Sequence, residues 1–352
     1  MMYINRTMKA VGLSLLLLGC DGEGTLLDLY PYEPIVNAET GVFIRENELL
    51  VARLHNRKNV VGVTRKGWFT TTDYFHSFEF EDGLWPGEQG VWDASHGLMV
   101  HAVPEAKSWR LRFSADDGRT WGNGHGLSED LSLVRVAVGA DKTAWFLGTE
   151  VSDGGARLVL YRSEWINQPL LWFAAVGAVP LGLGFFDSDS GWMLYRKPTD
   201  ANGSVRIARS LTGGRTWTDQ SVIPGLTDPA LTVLGAQRLL VYGRTGPAYL
   251  STDAGGSFEK VIIANGRVIH CLPAGAQVVY ALLDEGIAKS VDGGKTWRQL
   301  PAWSHGINVS GKGMSFYNEQ RGIVYGPDRL FFTVDGGESW EIGIYPYAYV
   351  ME

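Results

Sequence analysis

Cysteine is nearly absent from this chain: two residues in 352, Cys20 and Cys271. That excludes a disulfide framework. Cys271 stands in the apolar run Arg267–Leu272 and reads as a small buried hydrophobe. Histidine is also sparse, seven scattered residues, and no His/Cys cluster has ligand spacing. No metal site is expected, and no cofactor. Apart from residues 10–18 no apolar run stands out, and none is long enough to cross a membrane as a helix. Positive charge is in deficit, with 31 Lys and Arg against 38 Asp and Glu, a formal net charge of −7. With no basic blocks, nucleic acid is not expected as a partner. Helical patterns are few, whereas Gly is plentiful at 45 residues, which fits an all-β chain with many turns.

What the chain does contain is a repeated octapeptide. Ser290-Val-Asp292-Gly-Gly294-Lys-Thr296-Trp297 recurs from Ser114 through Asp116 and Gly118 to Trp121. It recurs again from Ser251 through Asp253 and Gly255 to Phe258, and from Thr333 through Asp335 and Gly337 to Trp340. A variant runs from Ser210 through Gly214 to Trp217, with Thr212 in place of the Asp. The chemistry is that of a turn. Short polar side chains accept local backbone N–H groups, Gly supplies positive φ, and the aromatic residue anchors the turn. These Asp residues therefore read as structural, and no catalytic residue is assigned. The pattern Ser/Thr-x-Asp-x-Gly-x-Ser/Thr-aromatic resembles the Asp-box, or bacterial neuraminidase repeat.

The third positions fall at 116, 212, 253, 292 and 335. The last three steps are 41, 39 and 43 residues, and the first gap of 96 is about two periods. A degraded copy is expected at Tyr161–Asn167, and another at Thr71–Phe78, which keeps Asp73. Short apolar runs precede each turn, such as Leu239–Gly243 and Val278–Leu282. Four short strands at a period of about 40–45 residues predict an all-β, seven-bladed β-propeller of four-stranded antiparallel blades. The expected organisation is a leader at 1–19, a tether at 20–38 and the propeller at 39–352.

The leader reading rests on Arg6 and Lys9 followed by a nine-residue apolar stretch, Ala10–Leu18. It ends Leu17-Leu18-Gly19-Cys20, which resembles a bacterial lipobox. The resemblance implies cleavage before Cys20, lipidation of its sulfur, and a membrane-anchored protein of the bacterial cell envelope facing the periplasm or exterior. Loss of residues 1–19 removes Arg6, Lys9 and no acid, so −7 becomes −9.

In a four-stranded blade the three-to-four turns share a face with the one-to-two turns. The opposite face carries the two-to-three loops and the interblade connections, and is the expected binding surface. It is assigned Arg57, Arg196 and Arg244 as anchors, with Trp85 and Trp303 as apolar support. Trp92 and Trp172 are placed in interblade connections as well. Arg and Trp are enriched at the energetic centres of interfaces, and a basic patch on an acidic chain favours an acidic segment of a protein partner.

The stretches Phe185–Trp192 and Phe316–Val324, each followed by a turn octapeptide, resemble the photosystem II assembly and stability factor family. That resemblance implies a non-enzymatic protein-binding or assembly role outside the cytoplasm. A glycoside hydrolase of sialidase or xyloglucanase type, with a glycan ligand, is one alternative. Its candidate carboxylates, Asp187, Asp189 and Glu319, fall in turns of the repeat. The sialidase Arg-Ile-Pro motif is not matched by Val42-Phe-Ile-Arg45-Glu46. An immunity or inhibitor lipoprotein is the other alternative.

Overall fold

The computed structural model describes residues 6–9, 49–54, 60–64, 67–71, 77–82, 91–95, 98–105, 108–115, 120–128, 130–139, 141–152, 155–164, 167–200, 204–244, 246–264, 266–301, 313–326 and 330–343. These residues form antiparallel sheets in a ring. Six sheets are four-stranded, and we number them as blades in chain order. Blade one spans 91–123, blade two 131–176, blade three 179–223, blade four 230–261, blade five 268–299 and blade six 313–343. In each, successive strands pair in sequence order.

Seven four-stranded blades were expected, and the structure holds six. The remaining sheet, at the N-terminus, has five strands. Its four consecutive strands are Leu49–Leu54, Val60–Thr64, Gly67–Thr71 and Ser77–Asp82. The fifth is Arg6–Lys9, antiparallel on the outer edge, with Arg6 opposite Phe80 and Lys9 opposite Ser77. An edge strand leaves backbone donors and acceptors open, and a short extended segment can satisfy them. Such pairing between distant parts of the chain leaves no trace in a repeat period. The strand Leu49–Leu54 of the N-terminal sheet packs on blade six.

The apolar runs follow from burial on both sides. In blade two, Ala144 and Phe146 join the core shared with blade one, while Trp145 and Leu147 join the core shared with blade three. In blade three, Met193 and Tyr195 face back to blade two, and Trp192 and Leu194 face forward to blade four. Strand side chains alternate between faces, so a strand buried on both reads as unbroken apolar sequence. Each fully buried Leu or Phe contributes about 1.5–3 kcal/mol. The core is thus a series of shared clusters between neighbouring blades.

Candidate functional site

The turn octapeptides build one face. In blade five the Ser290 hydroxyl accepts the Gly294 N–H at 2.8 Å and donates to Asp292 Oδ1 at 2.8 Å. Asp292 Oδ1 also accepts the Thr296 N–H at 2.9 Å and the Lys295 N–H at 3.0 Å. Trp297 Nε1 donates to Gly294 O at 2.9 Å. Asp253 and Asp335 make the equivalent bonds with Ser257 and Ser339. Hydrogen bonds from the Ser257 hydroxyl and N–H and from Ser251 hold Asp253 down to about 2. Burial works to raise Asp292, but donors from Thr296, Ser290 and Lys295 outweigh it and bring it to about 2. These carboxylates are ionised anchors of their turns.

Two consecutive residues per turn take left-handed φ: Gly293 at 77° and Gly294 at 95°, Gly336 at 77° and Gly337 at 88°. In blade four Ala254 holds the first of these positions at 62°. Its N–H, like those of Gly293 and Gly336, donates to a carbonyl in the one-to-two turn of its own blade. The two kinds of turn therefore do share a face.

Thr212 shows how the variant closes. Its Oγ1 accepts the Thr216 N–H at 2.9 Å, doing the work of the Asp carboxylate without its charge. The degraded turn of blade two is held by the Ser163 hydroxyl donating to Asn167 O at 2.6 Å. Of the blade-one octapeptide, Ser114 is buried and Trp121 half-buried, while Asp116 and Gly118 lie outside the described residues. Asp73 and Cys20 lie outside them as well.

Neighbouring blades are joined at these turns by contacts the sequence did not announce. Trp145 Nε1 of blade two donates to Gly213 O of blade three at 2.9 Å. Trp192 Nε1 of blade three donates to Ala254 O of blade four at 2.8 Å. Tyr280 Oη of blade five donates to Gly336 O of blade six at 2.9 Å. In blade four, where Leu240 takes this place in the strand, Arg238 crosses instead to Ala276 O and Gln277 Oε1 of blade five. Trp145 also stacks on Phe185, with centroids 3.8 Å apart.

On the opposite face the assigned anchors are less free than composition implies. Arg196 Nε donates to Ser204 O at 2.9 Å. Arg244 is exposed, with Asp228 at 3.7 Å. Nearby, Arg206 grips Asp200, and Lys197 and Arg206 both approach Asp219 at 3.7 Å. The basic side chains of this face are thus interleaved with acids. Arg57, Trp85 and Trp303 lie outside the described residues. Trp172, assigned to an interblade connection, instead sits within the outermost strand of blade two, Leu170–Val176. Among the described residues no three His, Cys, Asp or Glu side chains gather as a metal site.

No family model and no curated protein matches the chain. Solved structures resemble its fold. YCF48 from Cyanidioschyzon merolae has a TM-score of 0.57 at 16% identity, covering 83% of this chain and 96% of that one. YCF48 bound to D1 peptide gives 0.53 at 15% identity, covering 82% and 90%. PorZ, a surface component of the type-IX secretion system of Porphyromonas gingivalis, gives 0.55 at 13% identity, covering 86% of this chain but 39% of that one. At such identities the likeness establishes the propeller fold, and a fold does not by itself carry a function.

Proposed function

We propose that this chain is a non-enzymatic protein-binding propeller of the bacterial cell envelope, built on Asp-box turns and anchored to a membrane through a lipid on Cys20. The observation that carries the reading is the state of the repeat carboxylates. Asp253, Asp292 and Asp335 are each held by donors of their own turn, so the most numerous acid motif of the chain is engaged in architecture. A glycosidase needs a carboxyl poised to give a proton, and a carboxylate held near 2 is a poor one. Support also comes from the similar propeller solved with a peptide, YCF48 bound to D1 peptide. A rigid ring of blades offers loops and edges for a partner, and its interior needs no change on binding.

The test is affinity capture with the full-length protein from its own membrane, followed by identification of the retained proteins. Specific retention of a protein partner by wild type, with Cys20→Ser released from the membrane fraction, is the expected result. Hydrolysis of a fluorogenic sialoside or of xyloglucan by the purified protein would overturn the binding reading. A Cys20→Ser variant that stayed on the membrane would overturn the anchor.

A further inference from the structure

The outer edges of the sheets differ in how they are guarded. Exposed edges invite a further strand unless they are short, charged or covered. The outermost strands of blades one and five have two residues each, Gly122–Asn123 and Arg298–Gln299. Those of blades three, four and six contain Asp219, Glu259 with Lys260, and Glu341. The N-terminal sheet's strand Ser77–Asp82 carries Glu79, Glu81 and Asp82. The outermost strand of blade two, Leu170-Leu-Trp-Phe-Ala-Ala-Val176, has seven residues and no charge. No described strand covers it, and Val176 is 81% exposed and Leu170 59%.

The backbone of this strand is oriented to accept a partner. Gly177 N–H donates inward to Ala156 O, and hydrogen-bonded pairs alternate along an antiparallel ladder. Ala175 and Phe173 therefore pair inward, and Ala174 and Val176 direct their N–H and C=O groups outward.

Beside this edge lies a cationic clamp. The register between the last two strands shifts at Trp172, which stands as an extra residue between Leu171 and Phe173. Such a bulge re-aims a side chain, and here the Trp172 indole meets blade three. Arg162 lies over its ring at 4.9 Å and Arg215, from the blade-three turn, at 5.4 Å. Trp172 Nε1 is buried without a hydrogen-bond partner. Neither Arg162 nor Arg215 has a carboxylate within ion-pair distance among the described residues. Arg162 approaches the blade-three turn closely enough that a methyl on Gly213 would sit 3.7 Å from its Nη1. That turn is the one in which Thr212 replaces the Asp, so the usual negative charge is missing beside an indole that two guanidinium groups flank.

We propose that the outer edge of blade two takes up an extended peptide segment as an added antiparallel strand, and that Arg162 and Arg215 clamp a carboxylate carried by that segment. Backbone pairing with Ala174 and Val176 supplies affinity, and the clamp supplies selection for an Asp or Glu at one position. This is strand addition with one charged side chain as the specificity determinant. It rests on the protein-binding reading and names the chemistry of the partner.

The test uses the full chain and an array of surface-tethered heptapeptides of alternating Val and Thr, each with a single Glu or Gln at successive positions. Wild type is expected to retain a Glu peptide at one or two positions at least tenfold more than its Gln counterpart. Arg162→Gln with Arg215→Gln should abolish that preference. Ala174→Pro, which removes an outward N–H and no inward bond, should abolish retention of both peptides. Circular dichroism and melting curves confirm that the variants fold. Equal retention of Glu and Gln peptides by wild type, or no retention of either, overturns the proposal. If capture from the native membrane succeeds and is unchanged by these substitutions, the edge proposal fails while the protein-binding function stands.

Discussion

At the scale of the residue, the turn octapeptide does one job with three kinds of side chain. A hydroxyl at its first position accepts the Gly N–H, an acceptor at its third closes the turn, and an indole covers it. Thr212 shows that the acceptor need not be charged. Replacing Asp292 by Ala leaves the Thr296 and Lys295 N–H groups without their acceptor. That should cost about 1–3 kcal/mol. Asp292→Thr should recover more than half of the loss, as read from chemical denaturation of the three proteins. Equal stability of the Ala and Thr variants would mean that the acceptor is not what holds the turn. This level was legible in the sequence because every partner lies within four positions of the next. Two details were not. The turn needs two successive left-handed residues, and Ala254 accepts one of them at a φ of 62°. The other is the pairing of Arg206 with Asp200 and Asp219 and of Arg244 with Asp228, which depends on how the loops fold together.

At the scale of the element, strands were legible as apolar runs and turns as octapeptides, but joins between elements were not. The Trp145, Trp192 and Tyr280 contacts span 56 to 68 positions, and no local pattern reports them. Trp192→Phe keeps most of the buried ring and removes only the donor to Ala254 O. The orphaned carbonyl should lower stability by about 1–3 kcal/mol, measurable as a lower melting temperature. A melting temperature equal to wild type would show that the contact contributes packing alone. The bulge that places Trp172 within a strand was likewise invisible, since an extra residue looks like any other until its partner strand is known. Arg6–Lys9 raises the same point at the N-terminus. A removed leader cannot serve as an edge strand of the mature protein, so intact-mass analysis of the native protein will show which use the segment has.

At the scale of the whole molecule, the groups whose pKa folding lowers most act in one direction as pH falls. Burial, and then the nearby Arg112 guanidinium, lower His101 to about 3. Local donors hold Asp253 and Asp292 near 2. Each of these groups binds fewer protons folded than unfolded, so each contributes stability that is complete above its unfolded pKa and lost as pH falls toward its folded one. Calorimetry from pH 7 downward should show the His101 contribution fading first, from about 6.5, and the carboxylates from about 4. His101→Gln should flatten the upper part of that decline. A melting temperature constant between pH 7 and 4 in wild type would refute the assignment. Finally, the turn-side joins from blades two, three and five all run the same way round the ring. The donor stands on a blade's second strand and the acceptor is the next blade's turn, as in Trp145 to Gly213 and Trp192 to Ala254. Blade three, cut at its boundaries, therefore carries one such donor, Trp192, and one such acceptor, Gly213 O. Duplicating or deleting a whole unit keeps the donors and acceptors matched, so a lineage can change the circumference of such a ring by gene duplication without inventing a new interface.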